Sequence, residues 1–256
     1  FTFYWKITID TILFAKNLVK DPEHNLMIGG VLASIQPDEI EEATGIRPHC
    51  GTLHTRHTGD VAGDIDDDNP YIIDELPLDY SILEEIDYVY PDNNAYYSYS
   101  TRGCIRHCPF CAVPILEPKY AAYLPLHDRI TRTRKLYGEQ QNLLLMDNNV
   151  LACDYGLEQI DKIAYRGYMV DFNQAMDARL VTDEVARLIA RVRWHPFIRF
   201  GCDTHSQIEA CATAIERIDR YSGRHRQYLL YTMIYGNILE CYERISYWRQ
   251  PKYVSY

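Results

Sequence analysis

Three cysteines, Cys104, Cys108 and Cys111, fall within eight positions in the run Thr101-Arg102-Gly103-Cys104-Ile105-Arg106-His107-Cys108-Pro109-Phe110-Cys111. Their C-x3-C-x2-C spacing directly follows an aromatic, strand-like stretch, Ala95 to Ser100. Thiols this close together suit a metal better than disulfides. Three thiolates on one loop can hold three corners of a cubic iron–sulfur cluster and leave the fourth iron without a protein ligand, open to chemistry. The competing chemistry is a structural zinc or iron–sulfur site closed by His107 or another residue. Structural zinc commonly pairs two ligand couples a dozen or more residues apart, and no second couple follows here.

The other five of the eight cysteines, Cys50, Cys153, Cys202, Cys211 and Cys241, are scattered, and core or loop packing is expected for them. Eight cysteines in 256 residues are too few for a secreted disulfide scaffold, so a reducing, cytoplasmic setting is expected. His49, Cys50, His54 and His57 lie together in a stretch of glycines and acids, 45–69, but their spacing matches no zinc pattern and reads as loop.

The elements that must position the cysteine loop form a coarse repeat. Strand-like runs occur at Ala95–Ser100, Asn142–Met146, Tyr168–Phe172, Phe197–Gly201 and Gln227–Thr232, and Tyr253 to Tyr256 begins a sixth. Helical patterns lie between them, best at Thr182–Val192, Gln207–Tyr221 and Asn237–Trp248. Strands alternating with helices in this way predict βα units on a parallel sheet, an α/β fold. Such sheets place working residues just past the C-terminal ends of their strands. Those positions hold the cysteine loop, then Asp147-Asn148-Asn149, then Asn173 to Arg179, then Cys202-Asp203-Thr204. Gln174, Asp177, Arg179, Arg199 and Asp203 are candidate ligand contacts; the alternative is a salt-bridge set that holds the rim together.

Before the repeat, Ile9, Ile12, Leu13, Lys16 and Val19 predict a helix that Asp21-Pro22 ends. Asn25 to Gly30 reads as a short buried strand, and Gln36-Pro37-Asp38-Glu39 as a helix start. This is αβα without its first strand, so a segment ahead of Phe1 is expected. A strand at Tyr71–Ile73, a short helix at Tyr80–Ile86 and a turn at Pro91–Asn94 follow. The expected division is an N-terminal α/β domain with an acidic linker over 1–92 and a catalytic-type α/β domain over 93–256.

The net charge is −10, and twelve acids with no Lys or Arg between Arg56 and Arg102 account for it. The near-neutral remainder leaves a nucleic-acid partner open. No apolar run reaches the length of a membrane span and no leader pattern is present, so a soluble protein without membrane contact is expected. The 22 tyrosines offer stacking surfaces for a base or peptide, or else fill core and surface.

The cysteine spacing with Phe110 directly before Cys111, placed after the first strand of a βα series, resembles the radical S-adenosylmethionine superfamily. Thr-Arg-Gly-Cys with Pro109-Phe110-Cys111-Ala112-Val113-Pro114 is similar to the branch containing methylthiotransferases and enzymes with cobalamin-binding-like N-terminal domains, and the DFNQAMDARL run to the second of these. The resemblance implies a partial (βα)6-type barrel after a partial doubly wound domain, and a [4Fe-4S] cluster on Cys104, Cys108 and Cys111. It further implies S-adenosylmethionine on the open iron, cleaved by an electron from a donor such as flavodoxin or ferredoxin to a radical that abstracts hydrogen from substrate. Phe110 would lie near the adenine. Asp147, Asn148 and Asn149 stand where the family carries a Gly-Gly-Glu-type motif for the methionine amino group. No second cysteine triad is present, and no Asp-x-His-x-x-Gly string occurs, so neither a second cluster nor cobalamin is expected. Nucleic acid, peptide and small molecule all stay open as substrate. A family member without activity that serves as a binding module is the third alternative.

Overall fold

The computed structural model describes residues 5–51, 76–85, 87–90, 92–122, 125–223, 226–249 and 253–255. These form two compact units, Phe1–Leu76 with Arg106–Lys119, and Pro77–Ile105 with Tyr120–Tyr256.

The first unit is helical in its described part: α1 (Trp5–Leu18), α2 (Pro22–Asn25), α3 (Val31–Ile35) and α4 (Pro37–Thr44). Pro37 at the first helical position and Asp38 and Glu39 behind it start α4 as the sequence predicts. Ile12 of α1 packs with Leu32, Ala33 and Ile40 in a small core, and Lys16 donates to the Thr44 carbonyl at 2.7 Å, a cation on the negative end of α4. The strand expected over Asn25–Gly30 is not formed: Asn25 ends α2, and the backbone that follows makes no ladder, with His49 N donating to Ile28 O at 2.8 Å. A strand needs a paired partner, and a short apolar run ending in glycine does not specify one. Tyr71–Ile73, His54 and His57 lie outside the described residues. The segment 106–119, with the short helix α5 (Val113–Leu116), packs α5 against α3.

The second unit is mixed α/β with parallel sheets. Its strands are β1 (Ala95–Ser98), β2 (Thr101–Arg102), β3 (Ala121–Ala122), β4 (Asn142–Leu145), β5 (Met169–Phe172), β6 (Arg193–Trp194), β7 (Ile198–Gly201), β8 (Tyr228–Tyr231) and β9 (Tyr253–Ser255). The helices α6 (Leu126–Tyr137), α7 (Asp154–Arg166), α8 (Asp183–Arg191), α9 (Gln207–Ser222) and α10 (Ile238–Trp248) connect them. β1, β4, β5 and β6 form one parallel sheet, and β7, β8 and β9 another. A parallel bridge from Met176 to Phe200 links the turn after β5 to β7. The main strands therefore follow one another in sequence order, the expected result of successive βα crossovers. Tyr80, expected in the N-terminal part, packs in this unit: its hydroxyl donates to Ala95 O at 3.0 Å and accepts from Tyr97 N at 2.8 Å.

Helix boundaries follow from side chains. Thr182 caps α8 by accepting from Val185 N at 3.3 Å, and Asp183 and Glu184 sit in the first turn, Arg191 in the last. The buried faces of α8 (Val185, Ala186, Ile189) and α9 (Cys211, Ala214, Ile215, Ile218) join the core beneath the strands. Among the described residues no helix is long and apolar enough to cross a membrane.

Candidate functional site

Side chains alternate across a strand, and here the alternation separates core from cleft. Tyr96, Leu143, Leu145, Val170, Phe172, Ile198, Phe200, Tyr228 and Leu230 enter the core. Their neighbours Tyr97, Leu144, Asp171, Arg199 and Tyr231 line a cleft of about 600 Å³ together with Asn173, Gln174, Ala175 and Asp203 from the strand ends. One face of the parallel strands is thus apolar and the other polar.

The cleft centres on an ion pair. Arg199 Nε donates to Asp171 Oδ1 at 2.6 Å and Nη2 to Oδ2 at 2.5 Å, a bidentate fork, while Nη1 donates to the Tyr231 hydroxyl at 2.8 Å. Tyr231 in turn donates to Asn173 O at 3.1 Å. Burial pushes the Asp171 carboxyl up, and Arg199 pulls against it. Burial also presses the Arg199 guanidinium down, but Asp171 and Tyr231 outweigh it and its pKa is raised. Burial raises Asp203, whose Oδ1 accepts from Met233 N at 3.0 Å.

The approach to the first cysteine is built residue by residue. Asp147, 1% exposed, accepts from Ser100 N at 3.0 Å and Ser100 Oγ at 2.6 Å, and from Thr101 N at 2.5 Å and Thr101 Oγ1 at 2.8 Å. Burial raises this carboxyl against the pull of those donors. Arg102 lies over the Tyr99 ring at 3.6 Å, and β2 pairs antiparallel with β3, which joins the two ends of the intervening segment. Gly103 then turns the chain with φ 76°, a region open to glycine and costly for other residues. Cys104 follows, half-buried, and its Sγ receives the Asn149 amide Nδ2 at 3.4 Å. In the first unit, Cys111 N donates to Cys108 O at 3.0 Å, a tight turn containing Phe110. Cys108 and Cys111 are half-buried, and none of the eight cysteines is in a disulfide. Among the described residues no group of three or more His, Cys, Asp or Glu converges on a point as a single ion would require.

The predicted residues divide accordingly. Gln174, Arg199 and Asp203 line the cleft. Asp177 and Arg179 pair with each other, Nε to Oδ1 at 2.6 Å, as the salt-bridge alternative has it. Asp147 is saturated by loop donors, Asn148 is half-buried, and Asn149 is 2% exposed with its Oδ1 lacking a hydrogen-bond partner. Cys202 is buried beside Cys211 and accepts from Trp248 Nε1 at 3.4 Å, an interior residue. Three residues lie outside the predicted ligand contacts. Asp171 sits within β5 and not past its end, with a charge inside an apolar run, Val170-Asp171-Phe172, as its signal, and Tyr231 is one of the tyrosines read as a stacking surface for a base or peptide. Tyr120, which donates to Asn149 O at 2.9 Å, left no sequence signal. No family model and no curated protein matches the chain.

Proposed function

We propose that the chain is a radical S-adenosylmethionine enzyme, with its second unit the partial (βα)6-type barrel and its first a partial doubly wound domain. The observation that carries the reading is the cysteine loop leaving the first strand of a sequence-ordered parallel series whose inner face is a polar cleft. The donor set fits the group: Cys104, Cys108 and Cys111 are thiols outside any disulfide on one short segment. A cubic cluster distributes its ligands over separate irons, so they need not converge on a point. When bound, the cluster supplies the electron that cleaves the sulfonium of S-adenosylmethionine, and the resulting radical takes hydrogen from substrate.

The chain's own residues bind, orient and exclude water. Asn149 Oδ1, a buried acceptor with no partner, suits a donor such as the methionine ammonium. Asp147 acts by holding Ser100 and Thr101 in front of Cys104. Arg199, Asp171 and Tyr231 form a fixed wall of the cleft, and Gln174 and Asp203 present polar groups at its rim for cofactor or substrate. Phe110 supplies the apolar surface for the adenine.

Anaerobic reconstitution tests the reading. A brown protein that cleaves S-adenosylmethionine on reduction is expected. Cys104→Ala, Cys108→Ala and Cys111→Ala should each lose the iron while Cys211→Ala keeps it. A colourless zinc protein, or equal iron in all four variants, would refute the assignment.

A further inference from the structure

Asn149 shares a strand end with Asp147 and Asn148, but its hydrogen bonds lead to a cysteine. Nδ2 donates to Cys104 Sγ at 3.4 Å, and the backbone carbonyl receives the Tyr120 hydroxyl at 2.9 Å. That hydroxyl lies 3.2 Å from Cys153 Sγ, which caps α7 by accepting from Gly156 N at 3.4 Å. Burial, followed by the Cys153 sulfur, raises the Tyr120 pKa, so the hydroxyl keeps its proton and remains a donor. The residue is thereby held at its backbone from the α7 side and buried at its side chain, with the amide N–H directed at sulfur. An N–H on a thiolate draws electron density from it, and hydrogen bonds to ligand sulfur are one of the levers that set cluster potentials.

We infer that Asn149 is a positioning residue for Cys104, latched by Tyr120, which fixes the orientation of that sulfur and raises the reduction potential of a cluster bound to it. The statement about potential rests on the proposed function; the hydrogen bond to the thiol does not.

The test has a metal-free arm and a reconstituted arm, both on the full chain. In the metal-free protein, alkylation of Cys104 by iodoacetamide at fixed pH is read by peptide mass spectrometry against Cys108 in the same molecule. Asn149→Asp keeps the shape, loses the donor and adds a negative charge; Asn149→Leu loses both donor and acceptor without adding charge. The Asn149 N–H holds the Cys104 sulfur in one orientation, so losing that bond should shift the Cys104 rate about threefold relative to Cys108 in both variants. Tyr120→Phe should shift it in the same direction by less. After reconstitution, Asn149→Asp and Asn149→Leu should show the same visible spectrum and a more negative potential than the parent. An unchanged Cys104 to Cys108 ratio in the Asn149 variants overturns the inference, and so does an unchanged potential. If the Asn149 variants do not fold, an unchanged ratio in Tyr120→Phe overturns it. A parent protein that takes up no iron refutes the cluster, while the metal-free rates still decide the hydrogen bond.

Discussion

Replacing Asp147 by asparagine should cost stability before it costs ligand affinity. The carboxylate is 1% exposed and satisfies four donors, two backbone and two hydroxyl, on Ser100 and Thr101, which are themselves fully buried. Asparagine offers one acceptor oxygen and turns its NH2 toward the remaining donors. The hydroxyls can rotate to accept from that NH2, but a backbone N–H cannot. Stranding one buried N–H costs about 1–3 kcal/mol, and losing the charge on the surviving bonds about 1 kcal/mol more. The expected loss is about 2–4 kcal/mol, a fall in Tm of roughly 5–15 °C for a unit of this size. Urea and thermal unfolding of the metal-free protein would measure it, and limited proteolysis between β2 and β3 should accelerate in step. A change within about 0.5 kcal/mol of the parent, as surface substitutions give, together with weakened S-adenosylmethionine binding, would refute the loop-clamp role and return Asp147 to the cofactor site.

Three further outcomes follow from the same geometry. Asp171→Asn breaks the fork to Arg199, so stability should fall by roughly 3 kcal/mol, as when one partner of a buried pair is removed; an unfolding midpoint equal to the parent's would contradict the pairing. Gly156→Ala would set a Cβ 1.9 Å from Val150 O, so its gain in helix propensity of about 1 kcal/mol should be overwhelmed by overpacking and α7 displaced. Retained stability with unshifted amide resonances for Asn149 and Cys153 would contradict that close approach. Burial raises the Asp203 carboxyl, so the folded chain holds its proton at pH values where the unfolded chain has released it. This contribution is therefore full below about pH 4 and is lost as pH rises through the folded pKa. Stability measured upward from about pH 4 should fall less in Asp203→Asn than in the parent, and parallel curves would count against it.

The parallel series was legible because its strands are short, largely apolar runs with helices between them, and α7, α8 and α10 carry a side-chain cap. Thr182, Asp183 and Glu184 announced α8, and Asn237, whose side chain accepts from Leu239 N at 3.0 Å, announced α10. Even the short run at Tyr253 pairs with β8. Leu26 to Gly29 looked the same and is not a strand, since pairing depends on a partner that a local run does not encode. Within the site, Arg199 lies within β7, whereas rim positions such as Gln174 and Asp203 could be counted off the strand ends. The roles of Asp147 and Asn149 could not, because which donors surround a carboxylate or an amide is decided by loops 45 and more residues away in sequence.

Pairing between consecutive strands carries a consequence for how the chain folds. β4 and β5 align residues 27 apart in sequence, whereas β1 and β4 align residues 47 apart, the longer interval being the one that carries the cysteines. Closing the longer loop costs only about 0.5 kcal/mol more, since closure entropy grows with the logarithm of length. The interval after β1 is thus one where extra polypeptide adds little entropic burden, and each later strand can dock on a template already formed as the chain is synthesised.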